Sequence, residues 1–252
     1  MFEKELAFAG ELADRAGEIA MSIFGHDFEV MSKPDQTPVT EADLKIEALA
    51  REMIGERFPN DAILGEEEGM TGSADRIWVI DPIDGTKNFA DGIQIWATLI
   101  GLAVEGVPVA GVVAAPALGE RYEAAHGSGA RLNGDSIRVS KTESMPEALV
   151  AYGGLEAWLG GPREDAFKGM VEDARRTRGL GDFWGHMLVA RGAADAMIEP
   201  ELRTWDTVAV QAIVEESGGR MTTFVGEQLS DRSSVLTTNG RLHDELMKRL
   251  AG

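Results

Sequence analysis

Residues Trp78–Phe89 read WVIDPIDGTKNF, and this stretch decides the fold assignment. Its first residues are typical of a buried strand, and the strand ends in Asp81 and Asp84, which lie three residues apart. Pro82 restricts the backbone between them, and Gly85–Thr86 can open the first turn of a helix. Carboxylate oxygens beside free backbone N–H groups can bind Mg²⁺ and phosphate together. The stretch therefore predicts a strand that ends at a metal and phosphate site.

Acidic residues recur at other predicted element ends. Glu66–Glu68 follow a short strand, Asp206 stands at a predicted helix start, and Asp43 lies in an early polar segment. Adjacent acids repel one another unless a cation or solvent intervenes. Acids from several segments favour a site for more than one Mg²⁺, whereas D-x-x-D-G-T alone is equally typical of turn residues that cap a helix. The further acids therefore shift the interpretation of Asp81 and Asp84 towards a metal site rather than a helix cap.

Apolar spacing places helices and strands in alternating blocks. Spacings of three and four predict helices over residues 2–23, 163–175, 182–191, 206–217 and about 239–250, and a capping box at Thr40 predicts one more. Short apolar runs predict strands at residues 62–64, 77–80, 95–104, 107–114, 120–125, 147–152, 196–199, 220–224 and 235–238. This alternation predicts a layered α/β sandwich. We expect two halves, residues 1–146 and 147–252, in one compact catalytic unit.

Charge and composition exclude several classes of function. The chain has 252 residues and a net charge of −19, which argues against nucleic-acid binding because phosphates would be repelled. It contains no cysteine, which rules out thiolate metal sites and cysteine nucleophiles and fits a reducing cytoplasm. The longest apolar stretch, residues 95–118, is broken by glycine, glutamate and proline, so we expect no membrane span. The same charge would repel a small anionic ligand, so any anion site needs local positive charge, which bound cations could supply.

Three motifs carry a resemblance to a known family. In chain order, GEEEG (65–69), WVIDPIDGTKNF (78–89) and TWDTVAVQAIVEESGG (204–219) resemble the inositol monophosphatase family. The resemblance implies the αβαβα five-layer fold of these sugar phosphatases and Mg²⁺-dependent hydrolysis of a small phosphate monoester by water. It also implies two or three Mg²⁺ per site and a homodimer.

The resemblance assigns roles to individual residues. Glu66, Thr86 and Asp84 would be catalytic, and the main-chain carbonyl of Ile83 would join the carboxylates in binding metal. The residues implied as metal ligands are Glu66, Asp81, Ile83, Asp84 and Asp206; those implied as substrate-binding are Gly85, Thr86, Arg178, Gly181, Asp182, Glu199 and Asp206; and Lys33 and Asp43 fall near the entry loop. The first half would then hold the metal and phosphate site, and the second half the substrate wall.

Further stretches resemble the histidinol-phosphatases of this family, of the actinobacterial type. They are KPDQTPVTEAD (33–43), KNFADGIQIWATLIGL (87–102), RGLGDFWGHMLVARGAADAMIEPELRTWD (178–206) and TNGRLHDEL (238–246). An acid at Asp182 suits a cationic leaving group such as histidinol, although Asp182 can equally be a helix N-cap before Phe183. Inositol 1-phosphate or another sugar phosphate is the alternative substrate, and a non-catalytic regulatory role comes third.

Other phosphatase designs fit the sequence less well. Phosphatases of the haloacid-dehalogenase type use a D-x-D pair, and the spacing here is D-x-x-D. The four histidines, His26, His126, His186 and His243, are scattered without the spacing of metal ligands. We interpret each histidine as structural or solvated, with His186 on a buried helix.

Overall fold

A computed structural model describes residues 2–26, 30–32 and 38–251, so that Lys33 lies outside the described residues. The helices in these ranges are α1 (Glu3–Ile23), α2 (Glu41–Arg57), α3 (Thr86–Ala90), α4 (Glu164–Asp173), α5 (Asp182–Ala190), α6 (Thr204–Glu216) and α7 (His243–Leu250). The strands are β1 (Val30–Ser32), β2 (Pro38–Thr40), β3 (Ala62–Gly65), β4 (Gly69–Thr71), β5 (Arg76–Asp84), β6 (Ala97–Val104), β7 (Val107–Ala115), β8 (Glu120–Ala125), β9 (Ala130–Leu132), β10 (Asp135–Ser136), β11 (Leu149–Tyr152), β12 (Arg176–Gly179), β13 (Ala196–Leu202), β14 (Arg220–Thr222) and β15 (Ser233–Thr238).

The first large sheet lies between two helical layers. Its strand order is β10-β9-β8-β7-β6-β5-β3-β4, with a parallel pair only between β3 and β5 among the described strands. Strands β6 and β7 are apolar along nearly their whole length because helices cover both of their faces. Phe8 of α1 and Ile54 of α2 pack on one face with Trp78. Phe183 of α5 and Ile213 of α6 pack on the other.

The second sheet completes the layers. Its order is β12-β11-β13-β15-β14, with β12, β11 and β13 parallel. Val189 of α5 packs against Met197 on one face, and Phe167 of α4 and Leu246 of α7 pack on the other. The sequence of layers is therefore α1 and α2, first sheet, α5 and α6, second sheet, α4 and α7. The predicted αβαβα fold is confirmed. No helix in the described ranges has the length and apolar character needed to cross a membrane.

Some element boundaries differ from the predictions. Strand β12 was not predicted because RTRG shows no apolar alternation, and as a sheet edge it needs only backbone pairing with β11. Helix α6 begins at Thr204 rather than Asp206, because Asp206 occupies the third helical position and accepts the Arg203 N–H at 2.8 Å. Helix α7 begins at His243 because the Asn239 side chain accepts the Arg241 N–H at 3.0 Å and holds a turn there.

Two glycines allow α6 to lie close to the first sheet. Gly101 of β6 and Gly111 of β7 are partners across the strands. A Cβ at Gly101 would lie 2.7 Å from Cγ1 of Val208, and one at Gly111 would overlap the carbonyl oxygen of Ala209. Because α6 also carries Asp206, this close contact sets the position of a predicted metal ligand.

Gly111→Ala is therefore expected to lower the free energy of unfolding by about 1–3 kcal/mol, because the added methyl meets helix backbone that cannot move aside. Gly10→Ala is the matched control, since Gly10 lies in α1 with nothing within 4 Å of its Cβ position. That control should be neutral or gain up to about 1 kcal/mol through helix propensity. Urea unfolding of both variants measures the difference, and equal stability of the two would contradict the packing argument.

Candidate active site

A bulge brings Asp81 and Asp84 together. In a regular strand, residues three apart point to opposite faces of the sheet. Here Asp81 pairs with Leu99 and Asp84 with Ala97, so three steps on β5 oppose two steps on β6. Pro82 has no N–H to give to the ladder, which favours an extra residue at this point. The bulge turns both carboxylates to one side.

Helix α6 adds a third carboxylate to this pair. Ligand oxygens of Asp81, Asp84 and Asp206 all lie within 4.8 Å of one another. Asp206 is held in place by its hydrogen bond from the Arg203 N–H, and Asp84 accepts the Phe183 N–H at 2.6 Å. Three acids that the sequence separates by up to 125 positions (81 to 206) therefore form one cluster.

Two further predicted acids lie close to the cluster. The Glu66 N–H donates to the Ile80 carbonyl at 3.2 Å, beside Asp81. The Glu66 charge raises the pKa of Asp81 after the larger effect of burial, and the Asp43 charge adds a smaller contribution. Asp43 is itself buried, and its carboxylate accepts the Thr40 N–H at 2.8 Å as part of the predicted capping box.

The electrostatics of the cluster fit a hard cation. Burial, followed by the neighbouring carboxylates, raises the pKa of Asp81 and Asp84 well above the usual range. Burial also raises the pKa of Asp206 to about 7. One Asp81 oxygen, Oδ1, is buried with no hydrogen-bond partner among the described residues. Repelling carboxylates with an unsatisfied oxygen form the donor set that Mg²⁺ takes, so these residues fit the ion.

The turn after β5 forms the edge of this cluster. Gly85 precedes α3 at φ 84°, and a Cβ there would lie 2.9 Å from the Ile95 carbonyl oxygen. The Thr86 hydroxyl donates to the Ile83 carbonyl at 2.9 Å, which places the two predicted groups side by side. Asp84 does not cap α3: the N-cap is Gly85, and no side-chain hydrogen bond caps this helix. Its partner is the N-terminus of α5, far along the chain.

A cavity of about 590 Å³ opens beside the cluster. Asp84 and Asp206 line it on the side of the acidic cluster, and Asp182, Glu199 and Gly181 line it from the second half. The predicted substrate wall therefore faces the same space as the acidic cluster.

Asp182 is not the helix cap that the sequence allowed. The N-cap of α5 is Gly181, Asp182 is the first helical residue, and no side chain within the helix caps it. Asp182 has a φ of 57°, and its carboxylate accepts the Asn88 side-chain N–H at 3.0 Å. Asp84 takes the N–H that a cap would have taken, at Phe183. The carboxylate of Asp182 is thus directed across the cavity towards α3.

Glu199 lines the cavity from the second half of the chain. It is 7% exposed on β13, and burial, with the charges of Asp182 and Asp206, raises its pKa to about 8. Its carboxylate packs against Gly153, where any side chain would overlap it. Glu199 and Asp182 together give the cavity an acidic wall, and a cationic group placed beside it would favour the ionised form of Glu199.

Arg178 is located elsewhere. It lies exposed on edge strand β12, its guanidinium donates to the Thr177 carbonyl at 2.8 Å, and it does not line the cavity.

His186 is buried in α5 at the edge of the cavity, in agreement with the interpretation from the sequence. Its Nδ1 contacts the Thr237 hydroxyl at 2.8 Å, and burial lowers the pKa of the imidazole to about 3. We therefore describe it as neutral.

Lys87 and Asn88 are cavity residues that the sequence reasoning missed. Both lie on α3, directly after the predicted phosphate turn, and among the residues that the structure describes Lys87 is the one cationic side chain that lines this cavity. The signal was present, because K-N follows DGT in the stretch quoted first. A side chain on the first turn of a helix that begins at a binding site is a candidate for the same site.

Comparison with known proteins identifies relatives over the whole chain. The model of the inositol monophosphatase family matches residues 2–251. Histidinol-phosphatase of Mycobacterium tuberculosis is 42% identical over 257 residues, covering 99% of each chain. Histidinol-phosphatase of Streptomyces coelicolor is 43% identical, covering 96% of this chain and 95% of its own. The solved structure of the IMPase of Thermotoga maritima has a TM-score of 0.89 at 33% identity, covering 98% of this chain and 97% of that one.

Proposed function

The chain belongs to the inositol monophosphatase family, and we propose that it hydrolyses L-histidinol phosphate to L-histidinol and phosphate. The observation that carries this proposal is the placement of Asp182 and Glu199 in one cavity with the acidic cluster. An ester whose phosphate meets the cluster would place its amine and imidazole against this wall. The two histidinol-phosphatases named above support the same substrate, and the reaction belongs to histidine biosynthesis.

The metal site of this proposal consists of Asp81, Asp84, Asp206, Glu66 and the Ile83 carbonyl. When bound, Mg²⁺ supplies Lewis-acid stabilisation of the charge that the phosphoryl group and the leaving oxygen carry. The fit of these groups to the ion rests on their buried oxygens and mutual repulsion. Two or three ions per site, as the family resemblance implies, remain part of the proposal.

The remaining chemistry is assigned to side chains around the metal site. The Thr86 hydroxyl donates a hydrogen bond to the Ile83 carbonyl oxygen, so the hydroxyl oxygen is available to accept a hydrogen bond from water. Together with Glu66 it would orient a water in line with the ester. The water oxygen would form a bond to phosphorus while the bond from phosphorus to the histidinol oxygen breaks, and a proton given up by the water would end on the histidinol oxygen, with no phosphoenzyme. Backbone N–H groups at Gly85–Thr86 would donate hydrogen bonds to the phosphate oxygens, with Lys87 nearby.

Several broader expectations stay within this proposal. A homodimer and a cytoplasmic location are predicted from the resemblance and from the absence of cysteine. We also propose the division into residues 1–146 and 147–252. Its support is that the first large sheet uses strands from β3 to β10 and the second uses β11 to β15, while α5 and α6 lie between the two sheets.

Asp182→Asn tests the substrate wall. The variant should lose about ten- to a hundredfold in kcat/KM for histidinol phosphate, because a charge-assisted hydrogen bond contributes about 1.5–3 kcal/mol. Hydrolysis of a neutral-alcohol ester such as glycerol 2-phosphate should change little. Asparagine retains an oxygen that can accept from Asn88, so the fold should hold. If kcat/KM fell equally for both substrates, Asp182 would not discriminate between leaving groups.

A further inference from the structure

A buried carboxylate on α2 holds the turn that carries Glu66. Glu47 is 1% exposed, and its two carboxylate oxygens accept the Glu67 N–H at 2.7 Å and the Glu68 N–H at 2.9 Å. These are the two residues that directly follow Glu66. The Glu66 N–H itself is held by the Ile80 carbonyl, so the backbone of Glu66 is fixed on both sides.

Arg51 ties the same turn to the helix. Its guanidinium donates to Glu47 Oε1 at 2.7 and 3.0 Å, to the Gly69 carbonyl at 2.7 Å and to the Thr71 hydroxyl at 2.8 Å. The Glu47–Arg51 pair is i,i+4 on α2 and is largely buried. Because its charges cancel, it fastens the turn between β3 and β4 without adding net negative charge beside the acidic cluster.

The approach of Glu47 to the turn depends on Gly65. A Cβ at Gly65 would overlap the Glu47 carboxylate, so only glycine leaves room for it at the end of β3. A glycine, a buried acid and an arginine from two segments therefore converge on the turn that directly follows Glu66, one of the predicted metal ligands. Without these contacts, the repulsion among three consecutive glutamates would be opposed at this turn chiefly by the hydrogen bond from the Glu66 N–H to the Ile80 carbonyl.

We propose that Glu47 is a positioning residue that orients Glu66 towards the metal site. It touches neither the substrate nor the ion, and it acts through two backbone hydrogen bonds. This inference rests on the proposed metal role of Glu66, but it does not depend on which phosphate ester the protein hydrolyses. A partner that orients a ligand commonly contributes ten- to a hundredfold to metal affinity.

Glu47→Gln and Glu47→Asp test the proposal in the full chain. Glutamine presents an amide N–H₂ to one of the two backbone N–H groups, and aspartate keeps the charge but is one methylene too short. Titration calorimetry with Mg²⁺ should show the Kd of both variants raised about ten- to a hundredfold. Activation of phosphate release should require correspondingly more Mg²⁺, with kcat at saturating Mg²⁺ reduced less. Should Glu47→Gln fail to fold, Glu47→Asp carries the test.

Asp61→Asn is the matched control. Asp61 is also a mostly buried acid in ion-pair contact with an arginine, at 3.1 Å from Arg76, and it accepts from the Trp78 indole at 3.0 Å. It precedes β3 and so lies at the opposite end of that strand from Gly65. Its loss should lower the melting temperature and change the Mg²⁺ Kd less than twofold.

Four outcomes decide between the explanations. Weakened Mg²⁺ binding in both Glu47 variants supports positioning. Weakening in Glu47→Gln alone would show that only charge matters and would overturn the proposal, as would wild-type affinity in both. Absence of Mg²⁺ binding in the wild-type protein would instead refute the metal site itself, which separates failure of the proposed function from failure of this inference.

Discussion

Asp84→Asn is expected to remain folded and to lose nearly all turnover. Asparagine is almost isosteric with aspartate, and its carbonyl oxygen can still accept the Phe183 N–H that Asp84 accepts at 2.6 Å. What is lost is one negative charge from the cluster with Asp81 and Asp206. Removal of a metal ligand typically costs several kcal/mol of transition-state stabilisation, so kcat should fall by roughly a thousandfold or more.

The melting temperature separates this account from a purely structural role for Asp84. In metal-free protein, burial and the charges of Asp182 and Asp206 raise the pKa of Asp84. The raised pKa means that the negative charge of Asp84 destabilises the folded state when no cation is bound. The variant should therefore melt at or above the wild-type temperature without metal. Asp91→Asn is the control, because it makes the same change at an exposed residue just after α3. A destabilised Asp84→Asn that kept its turnover would identify Asp84 as a helix-stabilising residue only.

Removal of divalent metal should abolish activity completely. Acids from separate elements converge within 4.8 Å, and without a cation they repel one another and the anionic ester. We expect phosphate release to cease in EDTA and to return when Mg²⁺ is added in excess. Ca²⁺ should inhibit the Mg²⁺-loaded enzyme, because it prefers a larger and looser set of ligands.

The melting temperature provides a second readout of metal binding that does not depend on activity. If the cluster holds Mg²⁺ in the native state, the ion should raise the melting temperature in a concentration-dependent way. In Asp84→Asn the same addition should have a much smaller effect. Full turnover after exhaustive chelation, with metal content checked by elemental analysis, would refute the metal mechanism.

The sequence predicted the layers and the acidic cluster because both depend on local patterns. Apolar spacing identified α1, and the capping box at Thr40 placed the start of α2. The stretch around Pro82 predicted two acids at a strand end, although the bulge that turns them to one side became visible only with the pairing of β5 and β6. The convergence of Asp206 with this pair was indicated by the acids at several predicted element ends and was also implied by the family resemblance.

What the sequence could not resolve depended on contacts between distant segments. The sequence could not decide whether Asp182 caps α5 or lines the substrate wall. The answer depends on two contacts between distant segments: Asp84 accepts the Phe183 N–H, and the Asp182 carboxylate accepts the Asn88 side-chain N–H. The family resemblance implied a substrate-binding role for Arg178, but Arg178 lies exposed on edge strand β12 and does not line the cavity. These outcomes are set by how the two halves pack.

The most direct test of the account is the ratio of kcat/KM for histidinol phosphate to that for inositol 1-phosphate. It is measured with the wild-type protein by phosphate release at saturating Mg²⁺, with fructose 1,6-bisphosphate and adenosine 3′,5′-bisphosphate alongside. Two carboxylates facing a cationic leaving group predict a ratio of at least about ten and up to about a hundred. A ratio below one would contradict the proposed substrate while leaving the family and the metal site in place.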